Sequence, residues 1–261
     1  MKVVLFCGGL GMRLRDYSDQ LPKPLVPVGG QPIVWHIMKN YASFGHTDFI
    51  LCLGYMGEAI KRFFLDYNEC TNNDFVWARG GRQIDLLQRD VHDWNITFVD
   101  TGQQTNIGGR LLRVREHLEG EEMFLANYSD TLTDLDVGAM IDRFSATDCT
   151  AGFACVKPPY SFHLVDFGED EKVRRIEDVR DSGMWINGGY FVLRQEIFDN
   201  LRTGEELVVE GFARLLAKDR LYAHRHEGFW SCMDTFKEKK MLDELVARGE
   251  TPWQRWRPKA A

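Results

Sequence analysis

The chain has 261 residues, of which 44% are hydrophobic and 27% charged, the proportions of a globular protein with a substantial core; disordered and fibrous architectures are excluded. A net charge of −7 gives no overall attraction to nucleic acid or to an anionic membrane, so any phosphate ligand must be met by local cations. No run of about 18 apolar residues occurs, and the amino end reaches Gly8 and Gly9 too early for a secretory signal, so a cytoplasmic protein is expected.

Val3 to Cys7 reads as a buried strand. Ile33, Ile37, Tyr41 and Phe44 recur at helical spacing after Pro32, which predicts a helix over 31–44 with its apolar stripe on a sheet. Phe49 to Leu53 predicts a second strand, followed by a helix from about Glu58 to Asp66 and a strand near Phe75 to Ala78. Residues 79–93 are polar and read as a loop or hairpin. A strand at Asn95 to Val99, a helix at Gly109 to His117 and a strand at Met123 to Ala126 continue this βαβ pattern. Beyond Thr150, segments at 150–156, 164–167 and 190–193 are strand-rich and predict a mixed extension of the sheet. A last helix at Phe236 to Arg248 ends at Gly249, and the tail tryptophans Trp253 and Trp256 suggest self-association. With no repeat or linker, one domain over 1–261 is expected, in parts of about 1–130, 131–235 and 236–261.

Chemistry concentrates where strands end. The first strand delivers Gly8, Gly9, Gly11, Met12 and Arg13, and glycines there let backbone N–H groups approach phosphate oxygens. A dinucleotide-binding turn would want glycine where Leu14 stands, and a P-loop would want Gly-Lys-Ser/Thr. Lys23 follows within Leu21-Pro22-Lys23-Pro24, where prolines on both sides favour an extended lysine or, more plainly, a solvated loop. Asp130 lies just past a strand's carboxyl end, where open α/β sheets bind ligands; its simpler reading is a loop acid. Asp234 precedes the last helix and could simply cap it. Cys7, Cys52, Cys70, Cys149, Cys155 and Cys232 are scattered without a Cys-x-x-Cys pair, which reads as buried thiols rather than a zinc or redox site.

Taken in order, Gly8-Gly9, Gly11, Arg13-Leu14 and Lys23-Pro24 resemble the signature of the sugar-phosphate nucleotidylyltransferases. The likeness continues through Trp35 to Lys39, Trp94 to Thr97, Val99 to Gly102, Gly108 to Leu111, Ile186 to Gly189, Gly228 to Trp230 and Met233 to Thr235. These are similar to the glucose-1-phosphate cytidylyltransferase branch. The resemblance implies a Rossmann-like three-layer α/β fold with a mostly parallel mixed central sheet. It also implies attack of a sugar 1-phosphate on the α-phosphorus of a nucleoside triphosphate, CTP in this branch, with release of pyrophosphate. Gly8, Gly9, Gly11 and Met12 would hold the nucleotide, Arg13 the pyrophosphate and Lys23 the α-phosphoryl group, with Arg110 a further phosphate or nucleotide contact. Asp130 and Asp234 match the family's Mg²⁺ carboxylates, while Asn187, Gly188 and Trp230 match its acceptor side; family habit implies a homo-oligomer.

Departures gather at the acceptor. Ser129 and Thr131 flank Asp130 and are expected to crowd the metal. Ser161-Phe162-His163 replaces an element whose glycine lies against the hexose, which makes His163 the candidate for substrate identity, against a reading as a solvent-facing strand residue. Glu177-Asp178-Val179 replaces Glu-Lys-Pro, so Arg174, Arg175 and Arg180 become candidate replacement cations. Two alternatives stay open on sequence: the same chemistry on a non-glucose or non-sugar phosphate or phosphonate, and a lapsed nucleotide-binding regulatory subunit.

Overall fold

Alternation along the first strand sets the architecture. In β1 (Val3–Cys7) every residue is buried, but Val3, Leu5 and Cys7 join one hydrophobic cluster while Val4 and Phe6 join another. A strand with apolar side chains on both faces must be covered on both, which is the requirement of a three-layer α/β fold. The computed structural model, which describes residues 1–9, 21–89, 91, 93–159 and 162–256, meets it.

After β1 the short ribbon β2 (Pro27–Val28) and β3 (Gln31–Pro32) leads into α1 (Ile33–Ala42) and β4 (Asp48–Leu53). The predicted helix over 31–44 begins two residues late because Pro32 is extended, with φ −56° and ψ 145°. Ile33, Val34, Ile37, Met38 and Tyr41 bury its apolar face, each worth about 1.5–3 kcal/mol on removal from water. Next come α2 (Gly57–Leu65), α3 (Glu69–Asn72), the hairpin β5 (Phe75–Ala78) and β6 (Gln83–Leu86), and β7 (Asn95–Asp100). The helix expected over 109–117 is instead α4 (Ile107–Arg113), capped by the Asn106 side chain, followed by a tighter turn at Arg115–Leu118.

The chain continues through β8 (Met123–Tyr128), β9 (Thr131–Thr133), α5 (Val137–Ser145) and β10 (Ala151–Val156). Then follow the hairpin β11 (His163–Phe167) and β12 (Val173–Asp178), β13 (Ile186–Arg194), α6 (Phe212–Leu216), β14 (Leu221–His226), β15 (Trp230–Cys232) and α7 (Phe236–Ala247). The sheet order is β14-β10-β13-β8-β1-β4-β7. All neighbours are parallel except β13, which runs against β8 and β10. This is the mostly parallel mixed sheet the sequence predicts.

Trp253 is buried against Phe229, and Trp256 packs edge-on to Trp35. The tail tryptophans therefore serve the chain's own packing. Among the described residues no helix is long and apolar enough to cross a membrane.

Candidate active site

From β1 the sheet grows outward to β4 and β7, and the chain then crosses back to place β8 on the other side of β1. Such a switch point opens a crevice beyond the carboxyl ends of the two central strands. Gly8 and Gly9 leave β1 into it, and Asp130 lies two residues past β8.

Gly8 is fixed from below. A Cβ there would stand 1.9 Å from Arg110 Nη1, and one at Gly54 would stand 2.7 Å from the Gly8 carbonyl oxygen. Arg110, on α4, is 3% exposed. Its Nη1 donates to the carbonyl of Leu53 at 3.1 Å and to Thr101 Oγ1 at 2.6 Å. Nη2 donates to the carbonyls of Gly8 at 2.9 Å and Gln103 at 3.3 Å. All four terminal N–H groups of Arg110 thus end on protein acceptors, and burial lowers its pKa from the usual arginine value. The side chain expected at the phosphates is found bound beneath Gly8, to its carbonyl and to those of Leu53 and Gln103. Gly11, Met12 and Arg13 lie outside the described residues.

Lys23 begins a 3-10 turn closed by Leu25 N–H on the Pro22 carbonyl at 2.8 Å. This corrects the expectation of an extended lysine, although Pro22 itself is extended and Pro24 is buried. The turn aims Nζ between two carboxylates, 2.6 Å from Asp130 Oδ2 and in contact with Asp234 Oδ1. Burial alone would favour neutral lysine, but the Asp130 charge and the hydrogen bonds to both aspartates raise its pKa above the ordinary value. The residues joined here are 107 and 211 positions apart in sequence.

Backbone pairing gathers the aspartates. β15 pairs antiparallel with β9, and Met233 N–H donates to the Asp130 carbonyl at 2.8 Å. Asp234 does not cap α7: Thr235 does, in a reciprocal box with Glu238. One carboxylate oxygen each from Asp130 and Asp234 and the Cys232 sulfur all lie within 4.8 Å of one another. Burial, with the Asp130 carboxylate nearby, pushes the Cys232 thiol pKa up. Sequence reading sets Cys232 aside with the other cysteines; its place two residues before Asp234 is the signal the sequence carries. Ser129 does not crowd this cluster, since its hydroxyl donates to the Phe6 carbonyl at 2.8 Å on the β1 side.

Beyond the aspartates, Trp230 Nε1 donates to the Gly188 carbonyl at 2.8 Å, and Asn187 Oδ1 accepts from Gly189 N–H at 2.9 Å. The pairing of β10 with β13 shifts register at this point, so the glycine pair is a strand irregularity. Beside Trp230 opens a cavity of about 430 Å³ lined also by Lys157, Pro158, Arg180, His226 and Phe229. Lys157 Nζ and Arg225 Cζ lie 4.6 Å and 5.6 Å from the centre of the Trp185 ring. Arg174 and Arg175 pair with Asp170 and Glu177 on the hairpin. Arg180 pairs with Asp178 and is the member of the three that borders the cavity. His163 is exposed, opposite Asp178 in the β11–β12 ladder.

The sequence profile described as nucleotidyl transferase matches residues 2–238. The chain belongs to this family. Glucose-1-phosphate cytidylyltransferase of Salmonella typhimurium is 38% identical over 260 residues, covering 98% of this chain and 100% of that protein. Mannose-1-phosphate guanylyltransferase of Mycobacterium tuberculosis is 26% identical over 257 residues, covering 95% of this chain and 65% of that one. UDP-glucose pyrophosphorylase of Acinetobacter baumannii superposes with a TM-score of 0.70 at 18% identity, covering 98% of this chain and 96% of that chain, a likeness of fold. The transferase is therefore an enzyme of the cytidylyltransferase-like branch.

Proposed function

We propose that this single-domain transferase joins CTP to a sugar 1-phosphate, releasing pyrophosphate, with Mg²⁺ held by Asp130 and Asp234. The observation that carries the reading is the Lys23 ammonium set between those two carboxylates at the switch-point crevice, beside a glycine turn with no room for a side chain at Gly8. The oxygen donors of Asp130 and Asp234 suit a hard cation that keeps most of its shell for water and phosphate. When bound, that cation supplies charge neutralisation to the triphosphate. The names of the relatives support CTP and a sugar 1-phosphate.

A phosphate monoester is already anionic near neutral pH, so the nucleophile needs no side-chain base, and catalysis reduces to alignment and charge stabilisation. Backbone N–H groups from Gly8 onward receive the nucleotide, with Arg110 holding the turn in place. Lys23 leaves the aspartates to donate N–H bonds to the α-phosphoryl oxygens. Arg13 neutralises the pyrophosphate. The acceptor occupies the cavity beside Trp230, where Lys157 and Arg180 supply the positive charge missing at Asp178; Asn187, Gly188 and His163 are assigned to the same acceptor from the sequence. The cytosol is the expected compartment. A homo-oligomer is proposed from exposed apolar residues on both hairpins, Trp77 and Ile84 on one and Phe167 and Ile176 on the other; light scattering tests it.

The replaced lysine favours a second reading of the acceptor, a non-glucose or non-sugar phosphate or phosphonate. Pyrophosphate release across a panel of nucleoside triphosphates and phosphate acceptors, with product masses, separates the two. Turnover with CTP and a sugar 1-phosphate supports the first; tight triphosphate binding with no turnover on any acceptor overturns both.

A further inference from the structure

Cys232 has no part in the scheme above, yet its sulfur shares a group of donors with Asp130 and Asp234. Strand alternation explains the grouping. Met233 is fully buried in the core, so its neighbours Cys232 and Asp234 turn to the other side, toward the crevice. Thr131 stands directly opposite Cys232 in the antiparallel pair and therefore shares its face. Thr131 is 2% exposed, with the buried Tyr190 hydroxyl beside its side chain. The face toward the aspartates thus offers two carboxylate oxygens and a thiol sulfur.

Magnesium gains little from such sulfur, because it prefers oxygen and retains its waters. Metals of the zinc class gain from a thiolate added to two carboxylates. We propose that Cys232, Asp130 and Asp234 form a mixed sulfur–oxygen site for a thiophilic divalent cation of the zinc class, which displaces magnesium and stops turnover. The inference rests on the reading of the two aspartates as cation ligands. On coordination the thiol releases its proton to solvent and its sulfur donates a lone pair to the metal, with no change of oxidation state. Lys23 gives up its contacts with the carboxylates as the cation takes its place.

Cobalt(II) chloride, added to the full chain without nucleotide or acceptor, tests this through the sulfur-to-cobalt charge-transfer absorption in the near ultraviolet. The expected result is a band that saturates at a single ion per chain, disappears in Cys232→Ser, and needs at least ~10-fold more cobalt in Asp234→Asn, where the thiol remains. No band in the parent chain, or a band that survives Cys232→Ser, overturns the inference. Asp234→Asn gives an independent reading if Cys232→Ser does not fold: an unchanged midpoint there also overturns it. Manganese binding followed by calorimetry distinguishes the failures. If manganese binds Cys232→Ser but not Asp130→Asn, a missing cobalt band sinks only the sulfur ligand; if manganese binds neither the parent nor its variants, the aspartate reading falls as well.

Discussion

Beneath the glycine turn, all four terminal N–H groups of Arg110 end on protein acceptors and Gly8 has no space for a methyl group. Around the cavity beside Trp230, Lys157, Arg180 and His226 come from strand ends and loops that solvent reaches. The first region is specified by burial, where a displaced atom meets a neighbour, and the second by charge at a partly open rim. A floor built in the first way resists change, while a rim built in the second can exchange residues and keep the fold.

Substitutions can break that contrast. The largest effect is expected from Lys23→Ala, which should lower turnover by ~100- to 1,000-fold, the range for removing one positioned transition-state donor. Asp130→Ala should act similarly. Pyrophosphate release within about tenfold of the parent, or roughly 1.4 kcal/mol of barrier, would deny both residues their roles.

Arg110→Ala should act on stability first, by about 3 kcal/mol, because it leaves several buried acceptors without their charged donor. Urea denaturation reads this loss directly. A variant as stable as the parent would show that the floor is not fixed by burial.

Arg180→Ala should leave the denaturation midpoint unchanged and raise KM for the acceptor by no more than ~5-fold, as expected of an exposed ion-paired side chain. A change in kcat instead would place Arg180 nearer the reacting atoms than the rim.

The last effect concerns acid. Burial, then the nearby amino terminus, lowers the His46 pKa to about 4, whereas an unfolded histidine titrates near ~6.5. Between these values the unfolded chain binds more protons, so stability is complete above the upper value and falls as pH drops toward the lower one. His46→Gln should flatten thermal stability across that window, and an unchanged slope would show that other groups carry it.

Much of this was legible in residue order. Val3 to Cys7 and Phe49 to Leu53 are continuous apolar runs of strand length, and the central strands lie where those runs predict. Short elements such as β9 and β15 were not legible, since three residues carry no usable period. Arg110 was misplaced because sequence gives an arginine's charge but not its direction. Cys232 was overlooked because spacing along the chain does not reveal which strand lies beside it.

By itself, the sequence determined the family, the two-faced central strands and the identity of Lys23, Asp130 and Asp234 as residues to watch, because motif order and local periodicity are written in the chain. Only the tertiary structure decided that Lys23 lies between two aspartates, that Arg110 faces inward and that Cys232 joins the cluster. Those arrangements depend on strand register and on which side chains the core excludes, and both are fixed by contacts between residues a hundred or more positions apart.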